Sequence, residues 1–515
     1  MTVLITGATS GVGLELARRY QPWARLILLG RKPLSTLKDP LFTQQSYIQC
    51  DLSQPECGAR VLKALDERGV THLNHLILNA GLGYYGELHQ QPLESIDELL
   101  KVNLYAPLRL THRLLPKLKP GGRLAFVSSV AADLPAANYA VYAATKAGLS
   151  GFARNLRLER PDLNIYNLYP GAVKTELHAK SGVPASELRD ELMLSASEVA
   201  EDIAEALKRP GREVTLGLVN RLGRQAGRRL GFAVDPLIAR LSSPQLKLPP
   251  TLGPRRALVT GAASGIGKAL TERLLAENYH VFALDRDTFP EQLKGPNLEV
   301  IQEDLRDPDL LTQVSKRLAD AKLQLLIHSA GISHVGPFTD SDLAAQLDVL
   351  DVNLRAPFQL TRSLLADSHL ARGGTAVFIS SLSHYLGYPG ASVYGASKDG
   401  LTSYARSLRA ALWPELEVLT VFPGPTRTPH AERYSPDNSR SERRMPPALL
   451  AERIVKAAQS GQSRLVPSAG LQLAALLGRW LPSLTDSMML RTLYEPLQEQ
   501  AARQTERDLP KTSAG

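Results

Sequence analysis

Short apolar runs alternate with longer stretches whose apolar residues recur at helical spacing. Residues 3–6, 26–29, 76–78, 124–127 and 165–168 are rich in leucine and β-branched side chains, without the polar alternation of a half-exposed strand. Runs apolar on both faces are buried on both faces, so the pattern predicts a parallel sheet covered by helices on either side. The pattern then begins again. Thr6-Gly7-Ala8-Thr9-Ser10-Gly11-Val12-Gly13 recurs as Thr260-Gly261-Ala262-Ala263-Ser264-Gly265-Ile266-Gly267. In the same order Asp51-Leu52 recurs as Asp304-Leu305, Ala80-Gly81 as Ala330-Gly331, Val102-Asn103-Leu104 as Val352-Asn353-Leu354, and Ser128-Ser129 as Ser380-Ser381. Tyr142, Lys146 and Pro170-Gly171 return as Tyr394, Lys398 and Pro423-Gly424. An offset near 250 is a whole-domain duplication, because solenoid repeats run at roughly 20 to 50 residues.

The expected architecture is α/β: two tandem Rossmann-type, doubly wound parallel-sheet domains, each with a short C-terminal helical extension. Residues 1–242 form the first and 255–500 the second. Between them lies a proline-containing linker, 243–254, with Pro244, Pro249, Pro250 and Pro254, and residues 501–515 read as a flexible tail. The length of 515 residues requires the division, since single cores stop growing near roughly 250 to 300 residues.

Composition narrows the class. At 43% hydrophobic and 22% charged residues the chain is ordinary for a globular protein, which excludes disordered and collagen-like chains. It has no apolar stretch long enough to span a bilayer. Two cysteines, Cys50 and Cys57, are too few for a disulfide framework or a four-cysteine metal site, so no metal is expected. With a strand-like run directly after Met1, they lead to an expectation of the cytoplasm. The net charge of +9 draws on Arg221, Arg224, Arg228, Arg229 and Arg240 and on Arg440, Arg443 and Arg444. Neither cluster interleaves aromatic residues, so no nucleic-acid partner is expected.

The spacing Thr-Gly-x-x-x-Gly-x-Gly, after a strand and at the start of a helix, meets the needs of a dinucleotide. The glycines allow a tight turn and close approach of the backbone to pyrophosphate, whose charge the helix N-terminus favours. Gly7, Thr9, Ser10, Gly11, Val12 and Gly13 make this turn in the first half, and Gly261, Ser264, Gly265, Ile266 and Gly267 in the second. The end of the second strand reports on the ribose. There the second half carries Asp285, whose carboxylate suits a free ribose diol and repels a 2′-phosphate, predicting NAD(H). The first half carries Arg31, a cation for a 2′-phosphate, predicting NADP(H). Asp51 with Leu52, and Asp304 with Leu305, are candidates for the adenine edge, and a turn-capping role stands beside that one.

Both halves resemble the short-chain dehydrogenase/reductase family. The resemblance is carried by the glycine motif, Asn79-Ala80-Gly81, Asn103, Ser129, Tyr142-x-x-x-Lys146 and Pro170-Gly171, and by Ser329-Ala330-Gly331, Asn353, Ser381, Tyr394-x-x-x-Lys398 and Pro423-Gly424. It implies Tyr142 and Tyr394 as proton-exchanging groups, and Ser129 and Ser381 as holders of the substrate oxygen. Lys146 and Lys398 would bind the nicotinamide ribose, and Asn103 and Asn353 would anchor a relay water. A lysine one helical turn from a tyrosine is expected to lower the phenol pKa from about 10. Ser329 stands where the family has asparagine; its hydroxyl is expected to replace the missing side-chain bond in part. The family places a mobile lid after Pro-Gly, beginning here at residues 173–177 and 426–429. Val173, Thr175, Thr426 and Thr428 fall at the cofactor, and the two lid threonines Thr175 and Thr428 at its amide. The second lid, residues 432–447, is rich in Arg, Ser and Pro, fitting either a carrier-bound acyl substrate or a solvated loop.

The extensions, residues 216–241 and 470–497, read as helices that roof a lipophilic pocket or join the halves, with peripheral membrane contact left open. The expected function is a bifunctional NAD(P)-dependent oxidoreductase acting on a small or carrier-bound hydroxyl or keto substrate, with oxidation at one site coupled to reduction at the other as a sharper version. The alternatives are one catalytic half on an inactive scaffold, and a non-catalytic dinucleotide-sensing or membrane-peripheral interaction protein. The halves are expected to pack as an internal pseudo-dimer, with higher homo-oligomers open.

Overall fold

A computed structural model of the chain describes residues 1–187, 191, 193–241, 246–250, 253–293, 295–435 and 438–499. The expected tail, 501–515, and parts of the linker and of the second lid lie outside the described residues. In the first half β1 (Thr2–Thr6), β2 (Arg25–Gly30), β3 (Tyr47–Gln49), β4 (Leu73–Leu78), β5 (Leu118–Val127), β6 (Asn164–Tyr169) and β7 (Glu213–Thr215) form a parallel sheet in the order 3-2-1-4-5-6-7. In the second, β8 (Arg256–Thr260), β9 (His280–Asp285), β10 (Leu298–Gln302), β11 (Leu323–His328), β12 (Leu370–Ile379), β13 (Leu416–Val421) and β14 (Arg464–Leu465) repeat it as 10-9-8-11-12-13-14. All five apolar runs read from the sequence lie in strands. Val3, Leu4 and Ile5 are buried without exception because helices cover both faces. Strand order reverses between β1 and β4 and between β8 and β11, and ligands of such sheets bind outside the carboxyl ends of the strands at that point.

The helices used below are α1 (Gly11–Tyr20), α2 (Ala140–Glu159), α3 (Leu218–Arg229), α4 (Gly231–Leu241), α5 (Gly265–Ala276), α6 (Ser392–Leu412), α7 (Ala469–Trp480) and α8 (Pro482–Met489). The halves meet along α2 and α6, with the equivalent glycines Gly148 and Gly400 at the crossing. A Cβ on Gly148 would lie 3.3 Å from Ala396 O, and one on Gly400 3.1 Å from Ala144 O, so backbone packs on backbone. Around this seam Arg355 pairs with Asp97 at 2.9 Å, the Tyr105 hydroxyl donates to Asp351 at 2.8 Å, and Glu159 accepts from the Phe338 and Gly390 amides at 2.9 and 2.8 Å. The two halves thus contact each other along α2 and α6.

Each extension reaches across the seam. Asp235 of α4 pairs with Arg406 of α6, and Asp486 of α8 with Arg154 of α2. Each also seats on its own Pro-Gly turn: Asn220 fills the space beside Gly171, and Leu471 that beside Gly424. The described part of the linker is docked on the second half, with Leu248 buried, its amide bonded to Glu415, and Pro249 O accepting from the Arg372 amide.

Candidate active site

The β1–α1 turn is built by contacts that admit no side chain. A Cβ on Gly13 would stand 2.3 Å from Gly7 O, and one on Gly267 2.0 Å from Gly261 O. Gly11 and Gly265 both have φ of +54°, and across from them stand the lid threonines: Thr175 Cγ2 would be 3.1 Å from a Cβ on Gly11, and Thr428 Cγ2 3.3 Å from one on Gly265. The first lid is held by the paired short strands Val173–Lys174 and Leu194–Ser195, the second by a bridge between Thr426 and Met445. Thr175 and Thr428 both cap the helices that follow. Thr6 accepts from the Asn79 and Ala80 amides at 3.0 Å, and Thr260 from those of Ser329 and Ala330 at 3.2 Å, which fixes the strand ends on either side of the switch point. The glycine-walled cradle, with a helix N-terminus at its base, fits a dinucleotide pyrophosphate.

The two positions expected to meet the ribose differ in construction. Asp285 Oδ2 accepts from the Ala263 amide of the glycine turn at 2.9 Å and Oδ1 from the Asp287 amide at 3.1 Å. Its neighbour Arg286 is drawn to Asp287 and Asp304, at 3.8 and 4.0 Å, rather than to Asp285. Arg31 is exposed just beyond β2, following Gly30, whose side-chain space is taken by Thr9, and its charge helps to lower the Asp51 pKa. Asp51 and Asp304 do not end the third strands but lie two residues past them. Both cap turns, accepting from the Ser53 and Arg306 amides at 2.9 Å, and Asp304 also binds the Arg306 guanidinium. A carboxylate two residues before a free amide closes such a turn spontaneously.

The residues expected to be catalytic converge in both halves. Ser129 and Ser381 open short turns after β5 and β12, each accepting from the amide two residues on. Tyr142 and Lys146 share a face of α2, and Tyr394 and Lys398 a face of α6, with the lysine Nζ 5.8 and 5.6 Å from the tyrosine ring centre. The ammonium groups donate to Val127 O and Ile379 O at 3.0 Å, at the ends of the neighbouring strands. Asn103 and Asn353 sit in widened π-helical turns, Lys101–Tyr105 and Asp351–Arg355. Asn103 clamps both the amide and the carbonyl of Leu82, at 2.8 and 2.9 Å, and donates to Thr145. Asn353 treats Ile332 and Ser397 in the same way. These amide donors hold protein groups, so the role visible for both asparagines is to position the turn beside the lysine.

Two expectations are corrected. Neither tyrosine falls below its ordinary value: burial raises Tyr142 and pushes Tyr394 up to about 12, against a hydrogen bond from serine that acts the other way, and it lowers both lysines to about 8. Desolvation of the charged forms dominates, with both lysines buried and both tyrosines half-buried. Nor does Ser329 replace the strand bond. Asn79 Nδ2 donates to Thr6 O at 3.1 Å, whereas the shorter serine hydroxyl makes no such bond among the described residues.

Every second-half residue expected to be catalytic or cofactor-binding, except Asn353, lines one cleft of about 580 Å³. It also holds side chains that sequence reasoning missed. Tyr388 and His430 flank Tyr394, with ring centres 6.0 and 6.2 Å away, and burial next to Lys398 lowers His430 to about 4. Arg444, Met489, Thr492 and Leu493 complete the wall, so this lid is folded over the cleft and the extension forms part of its roof. In the first half Tyr139 stands 5.6 Å from Tyr142 and packs on Tyr85. Position alone could have suggested His430, which follows the lid motif directly. Among the described residues no His, Cys, Asp and Glu side chains gather to hold a metal.

Comparison with known proteins agrees with this geometry. The family model described as short chain dehydrogenase matches residues 1–184 and again 255–439. Serine 3-dehydrogenase of Agrobacterium fabrum is 33% identical over 215 residues, 40% of this chain and 86% of that one. Fatty acyl-CoA reductase of Acinetobacter baylyi is 29% identical over 252 residues, 45% of this chain and 79% of its own. The N-domain of a bacterial malonyl-CoA reductase, solved with NADP, superposes over 91% of this chain and 98% of its own with a TM-score of 0.61 at 14% identity, a likeness of fold extending over both halves.

Proposed function

The chain belongs to the short-chain dehydrogenase family in both halves and is an NAD(P)-dependent dehydrogenase/reductase, and we propose that each half is a working site for hydroxyl or carbonyl substrates. The observation that carries this reading is the repetition of the whole Ser, Tyr, Lys and Asn constellation with matching contacts. A lone surviving half would have no need to keep the other's buried lysine, whose desolvation costs stability.

A bound nicotinamide supplies or accepts the hydride at the substrate carbon. Ser129 and Ser381 hold the substrate oxygen by hydrogen bonding. Tyr142 and Tyr394, protonated at neutral pH, give their proton to that oxygen during reduction and take it back during oxidation. With pKa values near 8, Lys146 and Lys398 are mainly cationic at pH 7, and they stabilise the tyrosinate that forms when the proton leaves. Arg31 selects NADPH in the first half and Asp285 selects NADH in the second. Different cofactors would let one site oxidise an alcohol while the other reduces a ketone. The organised lid and roof of the second cleft favour a substrate with an extended apolar or carrier-bound part. The unpaired, buried cysteines agree with a cytoplasmic setting.

Calorimetric titration of the full chain with NADPH and NADH tests the reading. One site for each is expected, the first lost in Arg31→Ala and the second altered in Asp285→Ala. A single site in total would show that one half is scaffold, the reading that the absent Ser329 strand bond would then favour. Ketone accumulating with both cofactors in excess would exclude coupling.

A further inference from the structure

The helices of the two extensions turn apolar residues outward. In α7, Leu473, Leu476, Leu477 and Trp480 recur at i, i+3, i+4 and i+7 and so share one face. That face is 57, 53, 36 and 47% exposed, while Ala475 and Gly478 on the opposite side are buried. Leu481, Leu484 and Met488 continue the exposed stripe along α8, each about half exposed or more. The first extension repeats the arrangement with Leu218, Val219 and Leu222 in α3 and Leu237 in α4, all more than half exposed. The two extensions adjoin, the Arg229 guanidinium lying 5.4 Å from the Trp480 ring centre and Arg479 donating to Arg229 O. The stripes therefore belong to neighbouring parts of one surface.

Charge identifies what covers it. The four helices contain two carboxylates, Asp235 and Asp486, and both are withdrawn into ion pairs with the opposite half. Arg221, Arg229 and Arg240, and Arg491 just past α8, are exposed and form no ion pair among the described residues. Leucine and tryptophan flanked by unpaired arginine match the boundary between acyl chains and anionic headgroups. A second copy matches less well, because a two-fold contact through this face would set the same arginines against each other. No helix among the described residues is long and apolar enough to cross a membrane, so the contact is with the surface. We propose that the protein docks on an anionic phospholipid bilayer through the exposed face of α3, α4, α7 and α8.

The test is flotation of the full-length protein with vesicles of phosphatidylcholine alone and of phosphatidylcholine mixed equally with phosphatidylglycerol. Binding to the mixed vesicles is expected, with about fivefold weaker affinity for each arginine lost in Arg221→Ala and Arg491→Ala. Leu476→Glu combined with Leu484→Glu should abolish it, and unchanged NADH titration of that variant would show an intact fold. No binding of the unaltered protein to mixed vesicles, equal binding to both vesicle types, or binding that survives the double glutamate variant would overturn the proposal. Concentration-dependent dimerisation removed by the same variant, without vesicle binding, would give the face to a second copy instead.

Discussion

Replacing Glu159 by alanine removes a buried carboxylate that accepts three hydrogen bonds across the seam between the halves. Its carboxylate closes α2 in the first half, yet its partners all belong to the second: the Phe338 amide at 2.9 Å, the Gly390 amide at 2.8 Å, and the Ser392 hydroxyl. Burial pushes the carboxyl pKa upward, and the three donors oppose that. Alanine would leave two buried amides without partners, at about 1 to 3 kcal/mol each, and a hydroxyl besides. The total is about 4 kcal/mol. For cooperative units of this size, about 2 to 4 °C is lost per kcal/mol, so the transition in scanning calorimetry should fall by about 10 °C. Glu159→Gln keeps an oxygen for Gly390 and Ser392 but turns an NH2 group toward the Phe338 amide, and should lose less than half as much. A fall below about 2 °C for the alanine variant would refute the reasoning, since it would mean that water or relaxation satisfies those donors at little cost.

The remaining predictions concern chemistry and pH. Tyr142→Phe and Tyr394→Phe should each abolish one of two separable activities, by about a hundredfold or more in kcat, with little change in cofactor affinity by titration. Gly13→Ala should remove NADPH binding and Gly267→Ala NADH binding, each leaving the other site intact, because the added methyl meets a turn carbonyl at 2.3 or 2.0 Å. His75 and His328 are held at about 4 and about 3, mainly by burial, with Arg123 at 3.0 Å also opposing the charged form of His75. The unfolded chain takes up protons at these histidines below pH of about 6.5 that the folded chain refuses. The stability they contribute is thus present above that pH and lost as pH falls toward the folded values, by about 2 kcal/mol each near pH 4.5. His75→Gln should flatten the dependence of urea midpoints on pH between about 6.5 and 4.5, and an unchanged slope would contradict the assignment.

The buried strands and glycine turns could be read from the chain because they rest on local pattern. Buried strands must be apolar on both sides, and the space beside Gly7 O admits only a hydrogen at Gly13. The convergence of Ser129, Tyr142 and Lys146 was legible through order and spacing repeated in both halves. The direction of the tyrosine shift was not, since four-residue spacing gives proximity but says nothing of the depth of burial that decides between attraction and desolvation. Contacts between the halves were hidden for another reason. Glu159 meets Phe338 and Gly390 across a long stretch of intervening chain, and no periodicity encodes such a meeting. Asp51 and Asp304 could be read as cofactor ligands or turn caps from sequence, and the amides of Ser53 and Arg306 establish the capping contact.

The pairs along the α2–α6 seam have a consequence for what two copies of a gene become once fused. In a symmetric dimer every substitution at the contact appears twice and must tolerate its own image. Here Asp97 faces Arg355, while the second-half counterpart of Asp97 is Leu347 and the first-half counterpart of Arg355 is Tyr105. Either half paired with itself would strand one of these charges. Within the fused chain each half meets the other across these contacts, so a substitution on one side need not tolerate its own image.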